Sequence, residues 1–222
     1  MDEAKHDSSK TGFQVERIAF FSDGVFAIAI TLLVIEIKVP DLRQFSDQAL
    51  LDALSHMTFK FLGFGISFTI IGHYWSVHHR IFGYIKKNTS TLFWINLIYL
   101  FAVVLMPFSS GMLGEYSNHL EMNVPYTIYV ANLCLAGIAN CLLWLYVSNP
   151  DKDLLTRRIS SARIRLGFYR SLVLPLIFLL SLGVSYVQPI AGRLVPFVIP
   201  FVLHWGMKGL EKQANLHEAP AA

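Results

Sequence analysis

Read as an alternation of apolar and polar stretches, the chain divides into six apolar runs with short polar joints between them. The first, residues 17–38, is apolar from Ile18 to Ile37 except at Ser22, Asp23, Thr31 and Glu36. About 20 helical residues match the ~30 Å hydrocarbon layer of a bilayer. Residues 59–79, 89–112, 124–147, 171–187 and 194–207 supply five more candidate spans. The pattern predicts an all-α integral membrane protein with six transmembrane helices in a single domain over residues 1–222.

The joints have their own signals. Residues 1–16 are polar and read as loosely ordered. Pro40 stops the first run, since proline donates no amide hydrogen and restricts the residue before it. A loop is expected to about His56. A short basic turn over 80–88, a loop over 111–123 and a basic connection over 151–170 separate the later runs. Pro125 falls in a first helical turn, where its missing donor costs little. Pro107 lies near the end of the third run, and Pro196 and Pro200 are expected to kink the short sixth.

Composition fixes the class. Of 222 residues, 54% are hydrophobic and 15% charged, with mean hydropathy +0.49; a soluble domain carries about a quarter charged residues. The net charge of +3 does not point to nucleic acid, because the bases sit between apolar runs rather than on one soluble face. They report topology instead. Lys5, Lys10, Arg17, Arg80, Lys86 and Lys87, the bases Lys152, Arg157, Arg158, Arg163, Arg165 and Arg170, and Lys208 and Lys212 share one side of a six-span chain. Lys38, Arg43, Lys60 and Arg193 fall on the other, which places both termini in the cytoplasm. The polar start and the length of the first run exclude a cleaved signal core, so that run is expected to stay as an anchor. Cys134 and Cys141 are seven residues apart in one helix and cannot bridge each other.

At 100° per residue, Gly24, Ile28, Thr31, Leu32 and Ile35 share a stripe of the first helix, extended by Phe21, and Asp23 lies nearly opposite. Two readings fit. The stripe packs or meets lipid, or several copies place it around an axis as a narrow apolar restriction with Thr31 as a ring of oxygens. Glu36, near the outer end, either concentrates cations at a mouth or pairs with Lys38 or Lys60. An acid inside a span needs a partner. The second run travels back toward the cytoplasm, so Trp75, His78 and His79 arrive at the depth of Arg17, Ser22 and Asp23, and a hydrogen-bonded cluster joining the two helices is expected. On an ideal helix, however, Arg17 lies with the stripe and not with Asp23.

Arg17-x-x-x-Phe21-Ser22-Asp23 with its apolar continuation, joined by Trp75-x-x-His78-His79, resembles the bacterial branch of the transmembrane protein 175 family, relatives of the endosomal and lysosomal potassium channel. The resemblance implies a potassium-permeable cation channel, a homotetramer of six-helix subunits whose first helices line the pore. It puts the pore restriction and selectivity at Ile28, Thr31, Leu32 and Ile35. The Thr-Val-Gly-Tyr-Gly filter of ordinary potassium channels is absent from the sequence. Expected partners are further copies of the chain, potassium and other monovalent cations, and the bilayer.

Two other classes are open to a chain of this kind. A proton-coupled cation transporter could use Asp23 and His78 as a relay, but broken helices at matching places in two halves are not apparent. An enzyme is not expected: no zinc-ligand spacing, Gly-x-Ser-x-Gly turn or phosphate loop occurs. No cofactor or metal is expected beyond the permeant K+.

Overall fold

The computed structural model describes the backbone of residues 2–157 and 159–202, with side chains from residue 13 onward except Pro200. Lys208, Lys212, Arg158 and the last part of the expected sixth span, residues 203–207, lie outside the described residues. Helix α1 runs Asp2–Leu32 and tightens into a 3-10 turn, Leu33–Glu36. The expectation of a loose start over residues 1–16 is therefore wrong. No proline interrupts that stretch, and extending an existing helix across Gly12 avoids the cost of nucleating a new one.

A second difference lies in the expected loop before the second span. Helix α2, Asp47–His56, opens on Ser46, whose side chain accepts from the Ala49 amide at 3.2 Å. Such an N-cap stabilises a start by about 1 kcal/mol. Helix α3, Thr58–Phe82, follows Met57 after a bend of 52°. The expected third span is two helices, α4 at Ser90–Val104 and α5 at Met106–Glu115. Pro107 explains the break: its ring excludes the carbonyl four residues back and it has no hydrogen to donate.

Helix α6, Val124–Ser148, matches its expected span to within a residue, with Pro125 in its first turn. Helix α7 is longer than expected, at Ser161–Ser185, so half of the basic connection is helical. Ser160 starts it by accepting from the Arg163 amide at 3.3 Å. The chain then turns through α8, Pro189–Leu194, a 3-10 turn over Val195–Val198, and α9, Ile199–Phe201. Among the described residues, four helical stretches are long and apolar enough to cross a membrane, or five if the bent α2–α3 pair is one span.

Helix α6 is the central post, packed against α4, α5 and α7 and touching α3. Val130, Leu133, Ala136, Leu143 and Val147 are fully enclosed. Between helices in lipid the hydrophobic effect gives little, so close packing and hydrogen bonds must hold the pairs. Small residues allow that approach: a Cβ on Gly137 would overlap the Pro175 ring of α7, and one on Gly167 would overlap the Trp144 indole. Asn140 then donates to the Ser171 hydroxyl at 2.8 Å, and the Trp144 indole to the Ile164 carbonyl at 2.8 Å. Cys134 and Cys141 are both free thiols.

At the end carrying most bases, the α3–α4 and α6–α7 connections meet. Ile85 and Leu155 form an antiparallel bridge, flanked by Lys86 N to Leu154 O and Thr156 N to Tyr84 O, each 2.8 Å. Lys86 adds a 2.7 Å ion pair with Asp153.

Candidate functional site: the first helix and its polar anchor

Helix α1 packs on α3, α4 and α5. The spacing of its buried residues, Val15, Ser22, Phe26, Ala29 and Leu33, is that of a single helical stripe. The opposite stripe is uncovered by the rest of the subunit: Ile28 is 60% exposed and Ile35 66%, against 1% for Phe26. Phe21, Gly24, Thr31 and Leu32 are exposed on that same side. Only 22% of the apolar window of this helix is buried, compared with 61% for α6. The stripe expected from periodicity is therefore the face that one subunit leaves open.

Thr31 Oγ1 lies 3.0 Å from the Ala27 carbonyl and 2.9 Å from that of Ile28, and donates its hydrogen into its own helix. That fixes the hydroxyl as an acceptor toward the open side.

The buried stripe is tied down by polar groups. Asn96 Nδ2 of α4 donates to Ser22 Oγ at 3.0 Å, and Ser22 in turn donates to the Ile18 carbonyl at 2.8 Å. The Asn96 Oδ1 faces His78 Nε2 at 2.8 Å. With Asn96 donating toward Ser22, the hydrogen on His78 belongs to Nε2. Ser22, His78 and Asn96 are each at most 1% exposed. Rings close around them: His78 stacks on Phe82 at 4.4 Å and lies 5.4 Å from Phe26 and 5.6 Å from Tyr99.

Asp23 belongs to a separate contact at the rim, where it accepts from Trp75 Nε1 at 2.9 Å. The His79 ring lies 5.6 Å from that indole.

The expected cluster thus divides in two. Ser22 and His78 meet through Asn96, and Asp23 meets Trp75. Arg17 joins neither: its guanidinium lies over the Phe13 ring at 5.9 Å on the exposed side. Helical geometry decides this, because Arg17 is six residues before Asp23 and so points away from it. His79 is exposed and reaches the pair only by ring contact. An Asp23–His78 relay has no direct bond in this arrangement, since each group is engaged with a different partner.

Asn96 is the residue sequence reasoning missed. It was visible as the polar residue inside the third apolar run, and a buried amide in a span requires partners, but nothing in the sequence says which helix supplies them.

At the other end, Glu36 rests on α5, where a Cβ at Gly111 would overlap its carboxylate. Lys60, one of its two expected partners, instead pairs with Glu115 at 2.7 Å. Among the described residues no group of three or more His, Cys, Asp or Glu side chains could hold a metal ion.

The sequence model of the family described as endosomal/lysosomal potassium channel TMEM175 matches residues 17–107, from the start of the exposed stripe to the α4–α5 break. A potassium channel of Chamaesiphon minutus is 36% identical over 146 residues, 66% of this chain and 70% of the relative. A potassium channel of Streptomyces collinus is 32% identical over 179 residues, 78% and 82% of the two chains. The crystal structure of a lysosomal potassium-selective channel TMEM175 homolog from Chamaesiphon minutus superimposes with a TM-score of 0.73 at 28% identity, covering 91% of this chain and 98% of that one. On the strength of these relatives and of the two helices that carry the shared motifs, this chain belongs to the TMEM175 family.

Proposed function

We infer that the chain is one subunit of a potassium-permeable cation channel that conducts passively. The observation that carries this reading is the two-sided burial of α1, one stripe anchored on its own subunit and the other left open. In a homotetramer the uncovered stripes of the first helices would surround an axis. The relatives named potassium channels support the same assignment.

In the assembled channel, Ile28, Leu32 and Ile35 form the apolar restriction, which throttles flow by expelling water. Thr31 contributes oxygens whose hydrogens are already donated into the helix, so the ring offers lone pairs to K+ and other monovalent cations. Glu36 adds negative charge near the mouth. Ser22, Asn96, His78 and the Asp23–Trp75 pair hold the helix at its rotation and carry no current. In this reading the subunit crosses an inner membrane with six helices and keeps both termini in the cytoplasm, and the bases at the α3–α4 and α6–α7 connections support that orientation.

The test is flux from purified protein in liposomes. Potassium moves down its own gradient with no proton gradient imposed; strict dependence on counter-moving protons would replace this reading with a transporter.

A further inference from the structure

A cavity of about 290 Å³ lies away from the open face of α1, between α3, α5, α6, α7 and the chain that follows α7. Leu62, Ile66, Leu113, Tyr129 and Phe178 make its walls, and they are overwhelmingly apolar. Arg193 of α8 reaches into the same space. Its Nη2 is committed to the Leu120 and Met122 carbonyls of the α5–α6 connection, both at 3.3 Å, and its guanidinium lies 5.8 Å from the Tyr126 ring centre. Among the described residues its Nε and Nη1 are buried without any hydrogen-bond partner, and so is the Ser117 hydroxyl of the same lining. A buried ionised donor left unpaired is costly, and two such nitrogens and a hydroxyl belong to residues that line this greasy chamber.

We propose that this cavity binds a single-chain anionic amphiphile drawn from the bilayer, its acid head on Arg193 and Ser117 and its acyl chain among the apolar walls. The guanidinium fork suits a carboxylate or phosphate oxygen pair, and such an anion would satisfy Nε and Nη1 of this half-buried cation beside the Glu121 charge that already acts on it. Volume argues for one chain: drug-sized pockets begin at about 300 Å³, too little for the paired chains of a bilayer lipid. Access is from the side, since the rim residues Phe59, Ile190, Leu194 and Phe197 are each more than half exposed.

The site can be blocked without touching Arg193. Gly63 lines the cavity, and a Cβ there meets no atom of the described residues within 4 Å, so Gly63→Leu fills the chamber from a tolerant position. The experiment uses the full chain in phosphatidylcholine nanodiscs with a photoreactive dodecanoate analogue, mapping the labelled peptides and competing with dodecanoate or dodecanol. The proposal expects labelling in α3, α5 and α8, with dodecanoate displacing the probe at least tenfold better than dodecanol. Gly63→Leu lowers labelling at least tenfold, and Arg193→Gln abolishes the preference for acid over alcohol while Arg193→Lys keeps part of it. Labelling spread along lipid-facing helices, equal competition by acid and alcohol, or labelling unchanged by Gly63→Leu would each overturn it. Because Arg193 also holds the α5–α6 connection, a misfolded Arg193→Gln leaves the Gly63→Leu result and the acid–alcohol comparison to decide. None of these outcomes depends on ion flux.

Discussion

Asn96 donates to Ser22 across the α1–α4 contact at 3.0 Å, and the same amide, through its oxygen, receives His78 of α3. One side chain therefore ties three helices. Interhelical bonds in a bilayer average about 0.6 kcal/mol and reach about 1.7. Asn96→Ala breaks two of them and leaves Ser22 and His78 short of a partner, so a loss of roughly 1–3 kcal/mol is expected. Ser22→Ala should cost less than half as much, and the double variant should fall short of the sum. Unfolding midpoints in detergent measure all three.

The open stripe makes a separate prediction. Ile28→Asn introduces an amide where the restriction is proposed, which admits water and raises potassium flux in liposomes several-fold. Ile30→Asn, turned away from that stripe, should not raise it. Equal behaviour of the two variants would mean that α1 is rotated differently about the axis.

Helix α6 offers a test of close approach. Gly137→Ala places a methyl against the Pro175 ring, a rigid neighbour that cannot swing aside, and overpacking of this kind costs about 1–3 kcal/mol. Gly65→Ala on α3 meets no atom within 4 Å and should leave thermal stability almost unchanged.

The joined connections predict a pH dependence. The Lys86 ammonium, by hydrogen bond and charge, holds the exposed Asp153 carboxyl below its ordinary range, with Lys87 adding a smaller pull. A depressed carboxylate contributes stability that is present above its unfolded pKa of about 3.9 and is lost as pH falls through the folded value. The difference in thermal midpoint between the wild type and Lys86→Met should accordingly be largest near neutrality, begin to narrow as the pH approaches about 3.9 and close only below the depressed folded value. A difference that persisted in acid would assign the effect to the aliphatic stem of Lys86.

What could be read from the sequence follows from what a local pattern encodes. That Ile28, Thr31, Leu32 and Ile35 share one face of α1 was legible because a 3.6-residue period fixes which side chains stand together; that this face is the exposed one and Phe26, Ala29 and Leu33 the buried one was not. The starts of α6 and the break after α1 were legible from Pro125 and Pro40. Helix α2 was not, because its short amphipathic run of Leu50, Leu51 and Leu54 resembles a loop when judged against spans twice its length. The division of the polar cluster was not legible either. Depth along the membrane can be counted from the sequence, but which of two neighbouring groups turns toward a third helix depends on packing, and Asn96 decided it.

Because Ser22, Phe26, Ala29 and Leu33 hold α1 to its scaffold from one side alone, the residues opposite are released from the duty of folding the protomer. Changes in bulk at Ile28, Leu32 or Ile35 therefore carry little penalty within the subunit, and the fold of the protomer tolerates them.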